Sequence, residues 1–257
     1  MSGDQSARAS RAVLVGGAAV CAGVVVAGEP LRGWLLVALI VAATGAAAVA
    51  TRRNPSRQNP AWCILLGAAL LVPAYVLWYP AKLRWGLELG NPAITDGFFL
   101  AGYVAFLVAL TRLIRVRGSV DRRIHLLDSL IISVGLGVLV WVLFIAPYLH
   151  DEELSGAATV VAVSYTVVDL LLFGAVVRLL VQGGIASTGD RLLTGWVVAQ
   201  LSADLLYSVT SMRGTFELSG LTPVLYSASF VLLGAAILHP STLAVGPGHR
   251  AERPMSG

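Results

Sequence analysis

The chain has 257 residues, of which 57% are hydrophobic and only 12% are charged, and its mean hydropathy is +0.80. A soluble domain contains about 25% charged residues, so this composition excludes an ordinary soluble protein and indicates one that crosses a membrane several times. The net charge of +4 does not predict a nucleic-acid partner. Its basic residues are scattered in short loops between apolar runs, which is the pattern that encodes membrane topology.

Taken in chain order, the sequence predicts a polar, mobile tail at 1–11, a membrane helix bundle at 12–239 and a short flexible tail at 240–257. The predicted fold is therefore an all-α integral membrane bundle of about eight transmembrane helices. The first apolar run resembles a cleavable signal peptide preceded by Arg8 and Arg11, but the closely spaced runs that follow favour an uncleaved helix. The eight predicted spans are 12–28, 33–51, 61–79, 97–116, 126–149, 157–181, 191–209 and 221–239.

The distribution of basic residues predicts the orientation of these spans. If the N-terminus is inside, 14 of the 18 Lys and Arg residues fall on the inner side. This bias predicts cytoplasmic N- and C-termini. The most basic inner loop runs from Arg112 to Arg123, and it is interpreted as a topology anchor at the lipid headgroups. Docking of a cytoplasmic partner on this loop is the alternative interpretation.

The first two spans are rich in Gly and Ala, especially over 42–48. Small residues allow helix backbones to approach closely. The sequence therefore predicts that these two spans form a tight hairpin, with its turn at 29–32.

Four acids lie within or at the edge of predicted spans. Asp169 is central in the sixth span, and Asp204 lies deep in the seventh. A charge at that depth costs at least ~2.5–3.5 kcal/mol, so a partner, water or a proton must offset it. Asp96 is expected at the outer mouth of the fourth span and Asp128 at the inner face of the fifth. With the predicted topology, Asp96, Asp169 and Asp204 could line one cavity that opens to the outside.

Helical spacing suggests hydrogen-bond donors for both deep acids. Tyr165 and Thr166 precede Asp169 by four and three residues, and residues at this spacing share a helix face. Gln200 and Tyr207 flank Asp204 in the same way, with Trp196 one turn below Gln200. The candidate ligand-binding residues are therefore Asp96, Tyr165, Asp169, Gln200, Asp204 and Tyr207. Three interpretations remain open: polar contacts that hold helices together, a ligand or ion cavity, and translocation of a proton or ion.

The sequence contains no HExxH, GxSxG, Walker A or strand-associated GxGxxG motif. We therefore predict no enzyme, no catalytic residue and no cofactor. Cys21 and Cys63 lie in or beside apolar runs without metal-ligand spacing, which favours packed thiols. A solvated acidic turn is favoured over a divalent metal site for 150–153. No metal site is predicted.

Several short motifs together resemble the N-terminal multi-span membrane region of actinobacterial GGDEF and EAL signalling proteins, which make or degrade cyclic di-GMP. They cover roughly Asn91 to Ser241, and their order and spacing carry the resemblance. The matching motifs are Asn91-Pro92-Ala93-Ile94-Thr95-Asp96, Leu126-Leu127-Asp128-Ser129-Leu130-Ile131 with Trp141 and Ala146-Pro147, Ser164-Tyr165-Thr166-Val167-Val168-Asp169-Leu170-Leu171, Ser202-Ala203-Asp204-Leu205-Leu206-Tyr207, and Leu238-His239-Pro240-Ser241.

The chain departs from this family in two respects. It has Tyr165-Thr166 where the family often has Tyr-Pro, and it contains no GGDEF-like or EAL-like catalytic motif. The resemblance therefore implies a sensor or anchor region without the cyclase or phosphodiesterase.

The leading hypothesis is a sensory or regulatory module that crosses the plasma membrane several times. It would contact membrane lipids, bind a ligand or ion near the acids, and signal to a cytoplasmic partner. The alternative is a small transporter or accessory permease subunit that uses the same acids for a cation or proton. A stand-alone remnant whose acids are only structural is the third possibility.

Overall fold

Seven helices are present in the computed structural model, which describes residues 3–53, 55, 59–78, 92–117, 134–135, 137–138, 141–142, 146, 155–183, 187–212 and 220–242. This described part of the chain contains no strand. The helices are α1 (Gly3–Val26), α2 (Glu29–Arg53), α3 (Ala61–Val76), α4 (Ile94–Arg117), α5 (Gly156–Gly183), α6 (Thr188–Met212) and α7 (Leu221–Leu238).

Six of these helices are long and apolar enough to cross a membrane, and α3 is shorter, with 16 residues. The described residues are therefore all-α, as predicted, and six of their helices have the length and composition of membrane spans. The count of eight spans and the orientation of the termini stay predictions. The predicted fifth span, 126–149, lies largely outside the described residues, as do Asp128 and the acidic turn at 150–153. The predicted partner loop also lies outside them beyond Arg117.

Polar side chains set where several helices begin. The Asn59 carboxamide oxygen accepts a hydrogen bond from the Ala61 amide at 3.0 Å, and Ser155 Oγ accepts one from the Ala158 amide at 3.2 Å. At α6, Ser187 Oγ accepts from the Asp190 amide while Asp190 accepts from the Ser187 amide, both at 3.2 Å. This reciprocal pair satisfies two backbone donors of the first turn.

The N-terminal segment differs from the prediction of a mobile tail at 1–11. Helix α1 begins at Gly3 and includes most of that tail. Ser10 Oγ donates to the Ala235 carbonyl of α7 at 2.8 Å, and Arg53 of α2 donates to Ser6 Oγ at 3.3 Å. These hydrogen bonds satisfy polar side chains on the buried face, so the helix continues beyond the apolar run.

The six helices from α2 to α7 form a closed ring. Each packs against the next in chain order, and α7 returns to α2. Helix α1 packs on α7 and has only a small interface with α2. The core lies inside the ring, where aromatic side chains meet across it: Phe106 of α4 contacts Trp196 of α6, with ring centroids 5.0 Å apart.

The tight pairing predicted for the first two spans is wrong for most of their length. Gly17 of α1 lies against Val231 of α7, and Gly234 of α7 lies against Ala43 of α2. The small residues of both helices therefore allow a close approach to α7. The hairpin itself is held by the buried Arg32, whose guanidinium donates to the Val24 and Ala27 carbonyls at 2.9 and 2.7 Å.

The end of α7 is anchored to the start of α6. The Gly189 amide donates to Ser241 Oγ at 3.1 Å, and that hydroxyl lies 2.8 Å from His239 Nδ1. Thr242 is fully buried. The predicted flexible tail begins at 240, but 240–242 form a turn that packs on the start of α6, and 243–257 lie outside the described residues. Desolvation lowers the pKa of His239, and the positive charge of Arg11 lowers it further.

Candidate functional site

Asp204 is the centre of a polar cluster inside the helix ring. The Tyr226 hydroxyl of α7 donates to Asp204 Oδ1 at 2.7 Å. The Tyr103 hydroxyl of α4 lies 3.0 Å from both carboxylate oxygens. Gln200, one turn earlier on α6, donates from Nε2 to Oδ2 at 3.2 Å. Asp204 therefore accepts from three side chains on three helices.

Gln200 connects this carboxylate to a second layer of hydrogen bonds. Its side chain is buried, and Nε2 also donates to the Tyr103 hydroxyl at 2.7 Å. Its Oε1 accepts from Ser229 Oγ of α7 at 2.8 Å. The amide orientation and the donor roles are thus mutually consistent, since Tyr103 accepts from Gln200 and donates to Asp204. The network holds α4, α6 and α7 in one arrangement.

Asp169 of α5 lies beside this network but takes no part in its hydrogen bonds. Its Oδ1 is buried and has no hydrogen-bond partner. It is close enough to Asp204 for their charges to interact. Neither acid forms an ion pair with a Lys or Arg among the described residues. Asp204 thus accepts hydrogen bonds on both oxygens, while Oδ1 of Asp169 accepts none.

Two donors predicted for Asp169 bind elsewhere. The Tyr165 hydroxyl donates to Asp96 Oδ1 at 3.0 Å. The Thr166 hydroxyl donates back to the Ala162 carbonyl of its own helix at 3.2 Å. Spacing along α5 correctly brought these residues onto one side of the helix, but it could not show that a carboxylate on α4 competes for the tyrosine.

Asp96 lies at the start of α4 and is linked to the Asp204 cluster only indirectly. Its Oδ2 accepts from the Ala93 amide at 2.8 Å, as an acid in a first helical turn commonly does. Its partner Tyr165 contacts the Tyr103 ring edge-on, with centroids 6.3 Å apart. The three acids therefore belong to one connected group, in which Asp169 and Asp204 are neighbours and Asp96 is joined through tyrosines.

Tyr207 and Trp196 border the cluster without bonding to Asp204. The Tyr207 ring meets Trp78 with centroids 6.0 Å apart. Trp196 is buried and packs on Phe106. The predicted neighbour relationship is correct for Gln200, whereas Tyr207 forms part of the surrounding aromatic wall.

Sequence reasoning missed three members of the site: Tyr103, Tyr226 and Ser229. A signal existed for Tyr103, which follows Asp96 by seven residues and therefore lies on the same helix face two turns later. For Tyr226 and Ser229 the only signal was a group of hydroxyl side chains within an apolar span. Their partner is on another helix, so spacing alone could not identify it.

The described residues contain no group of three or more His, Cys, Asp or Glu side chains that could hold a metal ion. The cluster instead consists of carboxyl groups, neutral donors and aromatic rings. Such an arrangement directs three donors at Asp204 and leaves an unoccupied acceptor at Asp169 Oδ1.

No protein family, curated protein or solved structure matches the chain.

Proposed function

We propose that this protein is a membrane-embedded sensory or regulatory module of the plasma membrane. In this proposal the Asp169–Asp204 cluster is the part that responds to a ligand or ion, and the inner ends of the helices pass the response to a cytoplasmic partner. The resemblance to the membrane regions of GGDEF and EAL proteins suggests the same role.

The observation that carries the proposal is that two neighbouring acids differ in their hydrogen bonding. Asp204 accepts from Tyr103, Tyr226 and Gln200, whereas Asp169 Oδ1 is buried without a partner. A cluster that served only to hold helices together would gain stability by pairing both groups. An open acceptor beside a fully bonded one is the arrangement expected of a group that changes its partner.

Helix α6 offers a direct route from the cluster to the inner end of the bundle. It carries Asp204 and Gln200 in its middle and, at its start, Gly189, which is hydrogen-bonded to Ser241 after α7. A shift of α6 at the cluster would therefore change the position at which the chain leaves the bundle. This route is the physical basis for expecting a conformational response at the inner ends.

Double electron–electron resonance, which measures the distance between two spin labels, tests this proposal in the full chain. Cys21 and Cys63 are first replaced by Ala. Spin labels are then attached at two exposed positions, Val116 near the end of α4 and Thr188 at the start of α6. In lipid nanodiscs, Asp204→Asn is expected to shift the distance distribution between the two labels.

Tyr75→Phe is the matched control, because Tyr75 packs beside Tyr226 and has no hydrogen bond within the described residues. The control should keep the wild-type distances. Unchanged distances in a folded Asp204→Asn protein would refute a sensory role for the cluster. Proton or cation flux in proteoliposomes that Asp169→Asn abolishes would replace it with the transporter alternative.

A further inference from the structure

The chemistry of the two acids identifies the ligand more closely, on the basis of the function proposed above. We propose that the ligand of this site is a proton, bound by Asp169 while the neighbouring Asp204 stays ionised. Its release converts Asp169 from a neutral acid to a carboxylate, transfers the proton to water, and drives α5 away from α6.

Asp204 is suited to carry the negative charge of the pair. The single Tyr103 O–H lies 3.0 Å from both of its oxygens and is shared between them, and Oδ1 accepts a shorter hydrogen bond of 2.7 Å from Tyr226. Gln200 contributes a further donor at 3.2 Å. Donors directed at a carboxylate favour its charged form. The acceptor sites of Asp204 are thus occupied by neutral groups of the protein.

Asp169 is suited to carry the proton. Its buried Oδ1 has no donor, and an unpaired buried charge is far more costly than a neutral acid. Arg178 is the nearest basic residue along α5, nine residues away, or about 13.5 Å along the helix axis. Among the described residues, Asp204 is the group whose charge acts on Asp169.

Among the residues that the structure describes, the remaining titratable groups of the cluster do not supply a positive charge. On the elements packed against α5, they are acids or phenols, namely Asp96 on α4 and Tyr207 on α6, and Tyr165 lies on α5 itself. Two neighbouring carboxyl groups in such surroundings cannot both ionise at low cost, so they hold one proton between them.

The packing of α5 allows it to respond when that proton leaves. Helix α5 has its larger interface with α4 and only a short one with α6. Val167 and Leu171, on either side of Asp169, are exposed and face away from the other described helices. Repulsion between two carboxylates would act across the weaker α5–α6 interface, while α5 keeps its packing on α4.

Infrared difference spectroscopy of the full chain in phosphatidylcholine nanodiscs tests this assignment. Raising the pH from about 5 to about 9 should remove one carboxylic acid C=O band and add one carboxylate band. The acid band should be absent in Asp169→Asn and unchanged in the Tyr75→Phe control. In Asp204→Asn its midpoint should move down by at least about one pH unit, because the repelling charge is gone.

Several outcomes would overturn the proposal. An acid band that persists over the whole pH range means that Asp169 is a permanently neutral structural group. The absence of an acid band at any pH means that Asp169 is already ionised. Loss of the band on adding NaCl or KCl at constant pH would make an alkali cation the ligand instead. If Asp169→Asn does not fold, labelling the wild-type Asp residues with carbon-13 still identifies the band as an aspartic acid.

Spin labels at the exposed positions Val167 and Leu205 test the movement itself. The distance between them should increase at high pH in the Cys-free parent and stay constant in Asp169→Asn. No increase in the parent would refute release-driven separation of α5 from α6. The inner-end distances measured for Asp204→Asn are a separate readout. The sensory role can therefore survive failure of the proton assignment, and the reverse also holds.

Discussion

The hydrogen bond from Tyr226 to Asp204 provides the sharpest test of the cluster. The Tyr226→Phe substitution removes the hydroxyl that donates to Oδ1 at 2.7 Å and leaves the ring in place. Tyr75→Phe is the same substitution on a neighbouring ring, whose centroid lies 6.0 Å from that of Tyr226. Within the described part of the chain, the Tyr75 hydroxyl has no hydrogen-bond partner to lose.

The expected cost of Tyr226→Phe follows from the charge of the acceptor. A hydrogen bond to an ionised group contributes about 1.5–3 kcal/mol in soluble proteins. Polar contacts between membrane helices average about 0.6 kcal/mol and reach about 1.7. Because Tyr103 and Gln200 continue to donate to Asp204, we expect a loss of about 1.5 kcal/mol, or roughly tenfold in the unfolding equilibrium.

Tyr75→Phe should change the free energy of unfolding by less than about 0.5 kcal/mol, since it leaves no donor or acceptor unpaired. Its ring contacts with Phe99 and Phe230, at 5.1 and 5.2 Å between centroids, are retained.

Steric trapping in bilayers measures both free energies under the same conditions. Each variant carries two biotin tags, and binding of monovalent streptavidin captures the unfolded chain. Equal losses in the two variants would refute the reasoning, because they would show that Asp204 gains nothing specific from the Tyr226 hydroxyl. A loss in Tyr226→Phe alone supports an ionised Asp204.

Three further predictions concern packing, pH dependence and topology. Gly67→Ala should cost about 1–3 kcal/mol of unfolding free energy, because its Cβ would lie 2.7 Å from a phenylalanine ring of α4. At Gly45 an added Cβ would have no atom within 4 Å, so Gly45→Ala should be neutral or stabilising. Denaturant titration measures both variants. Since burial lowers the pKa of His239 below its usual 6.5, stability should fall as the pH drops through that value, and His239→Gln should flatten this dependence in thermal unfolding. In whole cells of a Cys-free parent, an impermeant thiol reagent should label Ser155→Cys but not Thr188→Cys, and the reverse pattern would invert the predicted orientation.

Hydropathy located the described helices well because each apolar run must by itself satisfy its backbone in a bilayer. The predicted span 221–239 corresponds to α7 at Leu221–Leu238, and the span 157–181 corresponds to α5 at Gly156–Gly183. The largest error is the start of α1. Ser6 and Ser10 look like tail residues, but they bond to Arg53 and Ala235, partners that local composition does not reveal.

The hydrogen-bond partners of the two deep acids could be predicted in part for a similar reason. A carboxyl group within an apolar run is costly wherever it packs, so Asp169 and Asp204 stand out without any structure. Gln200 was assigned correctly because it lies on the same helix as Asp204, one turn away. Tyr165 was assigned to the wrong acid because Asp96 lies on a different helix.

The sequence by itself determined the membrane class, the positions of most described helices and the acids that need a partner, because these depend on the hydrophobicity of each segment alone. Only the tertiary structure decided which acid has donors and which does not. That outcome depends on the ring closure that brings Tyr103 and Tyr226 to Asp204, from α4 and α7. Because hydrogen bonds act over about 3 Å, the approach of these helices, rather than spacing along the chain, leaves Asp169 open.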